Sequence, residues 1–202
     1  MNNLKVKICG VRSPAIAEVA VDAGADMIGI ILAPSRRKVS FELGRAIFDS
    51  VPDTVMKVAI FQDSSASEVI NGMEGTGADM AQLAGHETVQ FGNSLGLPFM
   101  RTHRFLGSTL TPPIENCCEG QIIHVDAPGD GGGHGSDWDY SLISSMPDHV
   151  DVLLGGGLNI KNIADVVESV KPWGVDVCSG VESEPGIKDM RLVEKFINKI
   201  IK

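Results

Sequence analysis

Short apolar, β-branched runs recur along the chain, each followed by turn residues and then by a stretch of helical period. Eight runs fit strands: LKVKI (Leu4 to Ile8), DMIGIIL (Asp26 to Leu32), VMKVAIF (Val55 to Phe61), DMAQL (Asp79 to Leu83), LPFMR (Leu97 to Arg101), QIIHVD (Gln121 to Asp126), VDVLL (Val150 to Leu154) and GVDVC (Gly174 to Cys178). Their apolar positions are nearly continuous, the pattern of parallel strands covered on both faces. Between them, PAIAEVAVDAG carries Pro14 near its start and Gly24 as a stop, and SFELGRAIFDSV opens on Ser40 with Glu42 close behind. NIKNIADVVESVKPWG sets Ile160, Ile163, Val166, Val167 and Val170 on one face. KDMRLVEKFINKIIK does the same with Met190, Val193, Phe196, Ile197 and Ile200. GSTLTPPIENCC holds Pro112 and Pro113, and SLISSMP spans barely two turns, so the fifth and sixth connections are expected to be short or irregular. Eight βα units with no break in composition predict an α/β protein, a single (β/α)8 TIM barrel over residues 1 to 202, with a doubly wound open sheet as the alternative.

Composition narrows the function classes. A formal charge of -9 offers no clustered cation surface for a phosphate backbone, so nucleic acid is not an expected partner. No run of about 18 uncharged apolar residues occurs, and the start MNNLKVKICG lacks a signal-length apolar core. These features predict a cytoplasmic protein without a membrane partner. Cys9, Cys117, Cys118 and Cys178 show neither C-x-x-C spacing nor the density of a disulfide scaffold, and reduced thiols are expected. His86, His103, His124 and His134 are not spaced as zinc ligands, and no metal is expected.

On a (β/α)8 barrel, function belongs to the loops after the carboxyl ends of the strands, and the reactive residue types of this chain fall there. LLGGGLNIKN puts Gly155 to Gly157 between a strand and a predicted helix start, where amides and a helix dipole favour an anion. VCSGVESEPG is the equivalent turn after the last strand, and paired loops there are a recurring phosphate site. The alternative is that these glycines serve tight turns only. Cys9 and Asp126 end two strands and would share one mouth; a thiol and a carboxyl can move hydrogen between neighbouring carbons without a cofactor. Local positive potential would favour a Cys9 thiolate. A small buried hydrophobe and a loop-capping carboxylate are the plainer roles for the same two residues. Arg36 and Arg37 fit either a forked grip on a carboxylate or a solvated loop. The glycine-rich APGDGGGHGSDWDYS after Asp126 is too irregular for a strand or helix, and a flap beside the mouth is expected.

The segments KICG, GADMIGIILAPSRRKVS, KVAIF, AQLAG, HVDAPGDGGGHGSDWDYS, LLGGGLNIKNI and GVDVCSGVESEPGIKD, in this order and spacing, resemble the phosphoribosylanthranilate isomerases of tryptophan biosynthesis. The resemblance runs from the first strand to the last helix, and KICG and GVDVCSGVESEPGIKD are its most specific parts. It implies a cofactor-free Amadori rearrangement of N-(5-phosphoribosyl)anthranilate to 1-(2-carboxyphenylamino)-1-deoxyribulose 5-phosphate, with this small molecule as the partner; the sequence itself leaves monomer and homodimer equally open. It further implies Cys9 as general base and Asp126 as general acid, with Arg37, or Arg36 one position away, on the anthranilate side. Gly156, Gly157, Ser179 and Gly180 match the phosphate turns, and Gly133 and Gly135 the closing segment. Two positions depart from the pattern: Ala84 stands where the family's fourth strand usually carries histidine, and Cys178 where serine is commoner. The fifth unit does not align, which leaves Arg101 and His103 without a role.

Overall fold

A computed structural model describes residues 4–106, 109–114, 120–126 and 139–200. Eight parallel strands run β1 (Lys5–Ile8), β2 (Met27–Ile31), β3 (Met56–Phe61), β4 (Met80–Leu83), β5 (Phe99–Leu106), β7 (Gln121–Asp126), β8 (Val150–Leu154) and β9 (Gly174–Val177). Each pairs with the next, and β9 pairs with β1, so the sheet closes into the expected barrel and the open-sheet alternative falls away. A short β6 (Thr109–Thr111) returns antiparallel to β5, and β10 (Glu182–Glu184) with β11 (Ile187–Lys188) makes a small hairpin.

Among the described residues six helices cover the barrel: α1 (Pro14–Ala23), α2 (Phe41–Asp49), α3 (Ala66–Thr76), α4 (Val89–Ser94), α5 (Ile163–Val170) and α6 (Met190–Ile200). Their ends follow local chemistry. Ser40 accepts from the Leu43 amide at the start of α2, and Ser65 and Glu68 form a reciprocal capping box on α3. Gly24 closes α1 in the left-handed region at φ 106°. Among the described residues, the sixth connection holds a 3-10 turn at Tyr140–Ser145, as short as SLISSMP implies. Among the described residues no helix is long and apolar enough to cross a membrane.

The strand period of two divides the core into two layers. Val6, Ile8, Ile28, Ile30, Phe61, Leu83, Val175 and Val177 point outward and join the helix faces, including Val193, Phe196 and Ile197 of α6, in one apolar shell. Met27, Val58, Ile60, Met100 and Leu153 point into the barrel together with Cys9. The fifth strand is longer than LPFMR suggests, reaching Leu106. Arg101, His103 and Phe105 alternate with Met100, Thr102 and Arg104 along it, and the polar members hide its period. His103 is covered because its Nδ1 donates to the Pro112 carbonyl at 2.7 Å, a partner supplied by the chain after β6.

Candidate active site

Beneath the mouth lies a polar plug built from side chains that share the inward register. Lys7 is fully buried, and its Nζ donates to Asp176 at 2.9 Å and to Gln82 Oε1 at 2.8 Å. Gln82 Nε2 donates to Thr102 Oγ1 at 3.1 Å and lies 3.2 Å from His124 Nδ1. With Nδ1 accepting from that amide, the proton sits on Nε2, which lies 3.1 Å from Asp176 Oδ2. Burial alone would raise the Asp176 carboxyl, but Lys7 and His124 overcome it and hold the pKa near about 2. Lys7 stays charged for the same reason, its desolvation offset by Asp176. The plug is a set of buried charges kept tolerable by pairing.

One inward step further along each strand, the next layer lines an open pocket. Cys9 follows Lys7, Ala84 follows Gln82, Arg104 follows Thr102, Asp126 follows His124 and Cys178 follows Asp176, and all five line this pocket. Cys9 and Asp126 therefore share the mouth, although β1 and β7 are separated by β8 and β9. Arg104 is absent from the sequence expectations; its inward register with Met100 and Thr102 would have revealed it had β5 been read at full length. Its Nη1 donates to the Ala84 carbonyl at 3.2 Å. Gly133, Gly135, His134, Cys117 and Cys118 lie outside the described residues.

The loop after β2 brings Arg37, not the exposed Arg36, to the pocket wall. Arg37 does not stand free there. Its Nε and Nη2 grip both carboxylate oxygens of Glu182 at 2.7 and 2.9 Å. Glu182 also accepts from Lys188 Nζ at 2.7 Å and from the Gly186 amide at 3.0 Å. These donors overcome desolvation and keep its carboxyl at about 2.

Gly155, Gly156, Gly157 and Ser179 line the same pocket, Gly155 beside Asp126 and Ser179 directly after Cys178. Gly156 and Gly157 hold φ 85° and 69°, a backbone that side chains resist. Tyr140 Oη fixes the first by donating to its carbonyl at 2.8 Å, and the side-chain amides of Asn159 and Asn162 donate to the carbonyl of the second. Gly180 packs against the backbone of Leu158 and Asn159, so the two turns touch. One expectation is corrected: α5 starts only at Ile163, because Asn159 and Asn162 organise the intervening residues as a turn. The glycine amides are thus separated from the helix start, and any anion there rests on loop amides.

A second correction concerns the thiols. The hydrogen bond shared with Cys178, then burial, then the Asp176 charge, push the Cys9 pKa well above the ordinary thiol value. Cys178 moves the other way, to about 7, through that same hydrogen bond and the charges of Lys188 and Arg37. The positive potential of the mouth therefore falls on Cys178 rather than Cys9. His124 belongs to the plug, His103 bonds to Pro112, and His86 lies beside Asp63 at 3.1 Å, so these three histidines are dispersed over different parts of the barrel.

The fold and the pocket define a (β/α)8-barrel protein whose reactive side chains and glycine turns converge at the carboxyl ends of its strands. The model of the N-(5'phosphoribosyl)anthranilate (PRA) isomerase family matches residues 6–199. The chain is 34% identical over 198 residues to the N-(5'-phosphoribosyl)anthranilate isomerase of Oceanobacillus iheyensis, covering 96% of each. Its fold is similar to that of the phosphoribosyl anthranilate isomerase of Thermus thermophilus, with a TM-score of 0.86, 28% identity and 98% of both chains covered. A phosphoribosyl anthranilate isomerase crystallised with reduced 1-(o-carboxyphenylamino)-1-deoxyribulose 5-phosphate superposes with a TM-score of 0.81 at 25% identity, over 97% of both chains. The chain belongs to the phosphoribosylanthranilate isomerase family.

Proposed function

We propose that the protein converts N-(5-phosphoribosyl)anthranilate to 1-(2-carboxyphenylamino)-1-deoxyribulose 5-phosphate, an isomerisation in tryptophan biosynthesis, with Cys9 as general base and Asp126 as general acid. The observation that carries this reading is the placement of Cys9 and Asp126 in one pocket that the pair of glycine turns also lines. The turns receive the phosphate, which fixes the ribose between the carboxyl and the thiol. Asp126 gives a proton to the furanose ring oxygen while the anilino nitrogen lone pair expels it, and C1 becomes an iminium carbon. Cys9, as thiolate, takes the proton from C2, and the electrons of that bond neutralise the iminium. The resulting enolamine gains a proton at C1 as its oxygen loses one, leaving the ketone. Arg37 presents its remaining guanidinium edge to the anthranilate carboxylate, oriented by its grip on Glu182.

The test is the loss of anthranilate fluorescence when phosphoribosylanthranilate is generated in situ. Wild type is expected to quench it rapidly. Cys9→Ser and Asp126→Asn are each expected to lose about 100-fold to 10,000-fold in turnover, with unchanged unfolding midpoints. Near-normal rates in either variant would remove that residue from its role.

A further inference from the structure

Two thiols face each other in the mouth, and the mechanism above employs one. The parallel register of β1 and β9 ends on the pair Ile8 and Val177, with the Cys9 amide donating to the Val177 carbonyl, which sets Cys9 and Cys178 next to each other on adjacent strands, unbridged and lining the same pocket. Their surroundings differ in charge. From β11, the buried Lys188 places Nζ 3.7 Å from Cys178 Sγ and holds it there by donating to the Cys178 carbonyl at 3.1 Å and to Glu182 of β10 at 2.7 Å. Arg37, from the loop after β2, adds a second cation on that side. Cys9 faces Lys7 of its own strand and Asp176 of β9, whose charges are already spent on each other at 2.9 Å. Two cations and one carboxylate thus surround Cys178, while Cys9 sits beside a neutralised pair.

We propose that Cys9 and Cys178 work as one base, in which Cys178 beside Lys188 stores the negative charge and hands it to Cys9 when the substrate is bound. The resting pair holds one proton, on Cys9. That proton passes to the Cys178 sulfur, and the Cys9 thiolate so formed removes the C2 proton of the iminium. The pair then carries two protons and the enolamine is neutral. Return of one proton to C1 or to solvent restores the resting state. Opposite displacement of the two thiol pKa values agrees with this division of labour. The inference rests on the proposed function, in which Cys9 acts as a thiolate although burial and the Asp176 charge disfavour its ionisation.

The test uses the full chain under reducing conditions and two readouts. Ultraviolet thiolate absorbance followed against pH should show one thiolate in wild type with a midpoint of about 7, absent in Cys178→Ala. In Lys188→Met the same midpoint should move to higher pH. The pH profile of kcat/KM should lose its near-neutral plateau in Cys178→Ala, falling about tenfold or more near pH 7, with KM unchanged and the loss recovered in alkali. Cys178→Ser fills the same space and keeps a hydrogen-bonding group but cannot hold the charge, so it should behave as Cys178→Ala does. A serine variant with the wild-type pH profile would overturn the proposal, and so would a wild type lacking the near-neutral thiolate. In either case an active wild type leaves the isomerase reading intact, whereas an inactive wild type with the thiolate present removes that reading and the shared-base role with it.

Discussion

Gly180→Ala probes the contact between the two turns assigned to phosphate. A methyl group at Gly180 would overlap the Leu158 carbonyl oxygen and come within 2.9 Å of Leu158 C and 3.0 Å of Asn159 Cα. All three are backbone atoms, so no rotamer change relieves the collision. Gly180 has no left-handed backbone to strain, which makes the effect one of space alone. Restoring ordinary contact asks the turn after β9 to separate from the turn after β8 by on the order of 1 Å. A misplacement of about 1 Å in a positioning group costs about 100-fold in catalysis, or about 3 kcal/mol of transition-state stabilisation. The assay is the fluorescence decay at varied substrate and inorganic phosphate. In the variant, KM and the inhibition constant of phosphate should rise together, with kcat less affected, because both ligands use the same separated amides. Urea unfolding should show a loss of about 1 to 3 kcal/mol, the usual cost of overpacking. Wild-type KM together with wild-type phosphate inhibition would refute the idea that the touching turns form the phosphate site.

Two further outcomes follow from buried ionic groups. Burial holds His103 neutral, with a pKa lowered from 6.5 to about 4. The unfolded chain therefore binds a proton first as pH falls, so stability present above 6.5 is lost toward 4. Between about pH 7 and pH 5 the loss is about 2 kcal/mol, measurable by urea unfolding, and His103→Gln should remove it; equal pH dependence in both proteins would show another group at work. Glu182→Gln leaves Arg37 and Lys188 without their shared carboxylate and should cost on the order of 3 kcal/mol of stability. It should also raise KM as Arg37 loses its fixed orientation, and an unchanged KM would take Arg37 off the substrate wall.

The sequence by itself determined what depends on neighbours along the chain. Apolar runs such as VMKVAIF and VDVLL read as covered strands from their length, β-branching and flanking turns, and Ser40, Gly24 and the α6 stripe set helix ends and faces from local chemistry alone. The position of Cys9, Asp126 and the glycine turns at the barrel mouth was legible because barrel strands end where their apolar runs end. Tertiary structure decided who stands beside whom. Lys7 reads as one more residue of a strand until closure of β9 on β1 brings it Asp176, 169 positions away. Arg37 reads as a free cation until the hairpin after β9 supplies Glu182, 145 positions on. The length of β5 was hidden because the partners that cover its polar residues, Pro112 among them, arrive from later in the chain. The meeting of Cys9 with Cys178 is the same kind of fact. Periodicity fixes which face a side chain takes, but the charge it feels depends on strands joined only when the barrel closes.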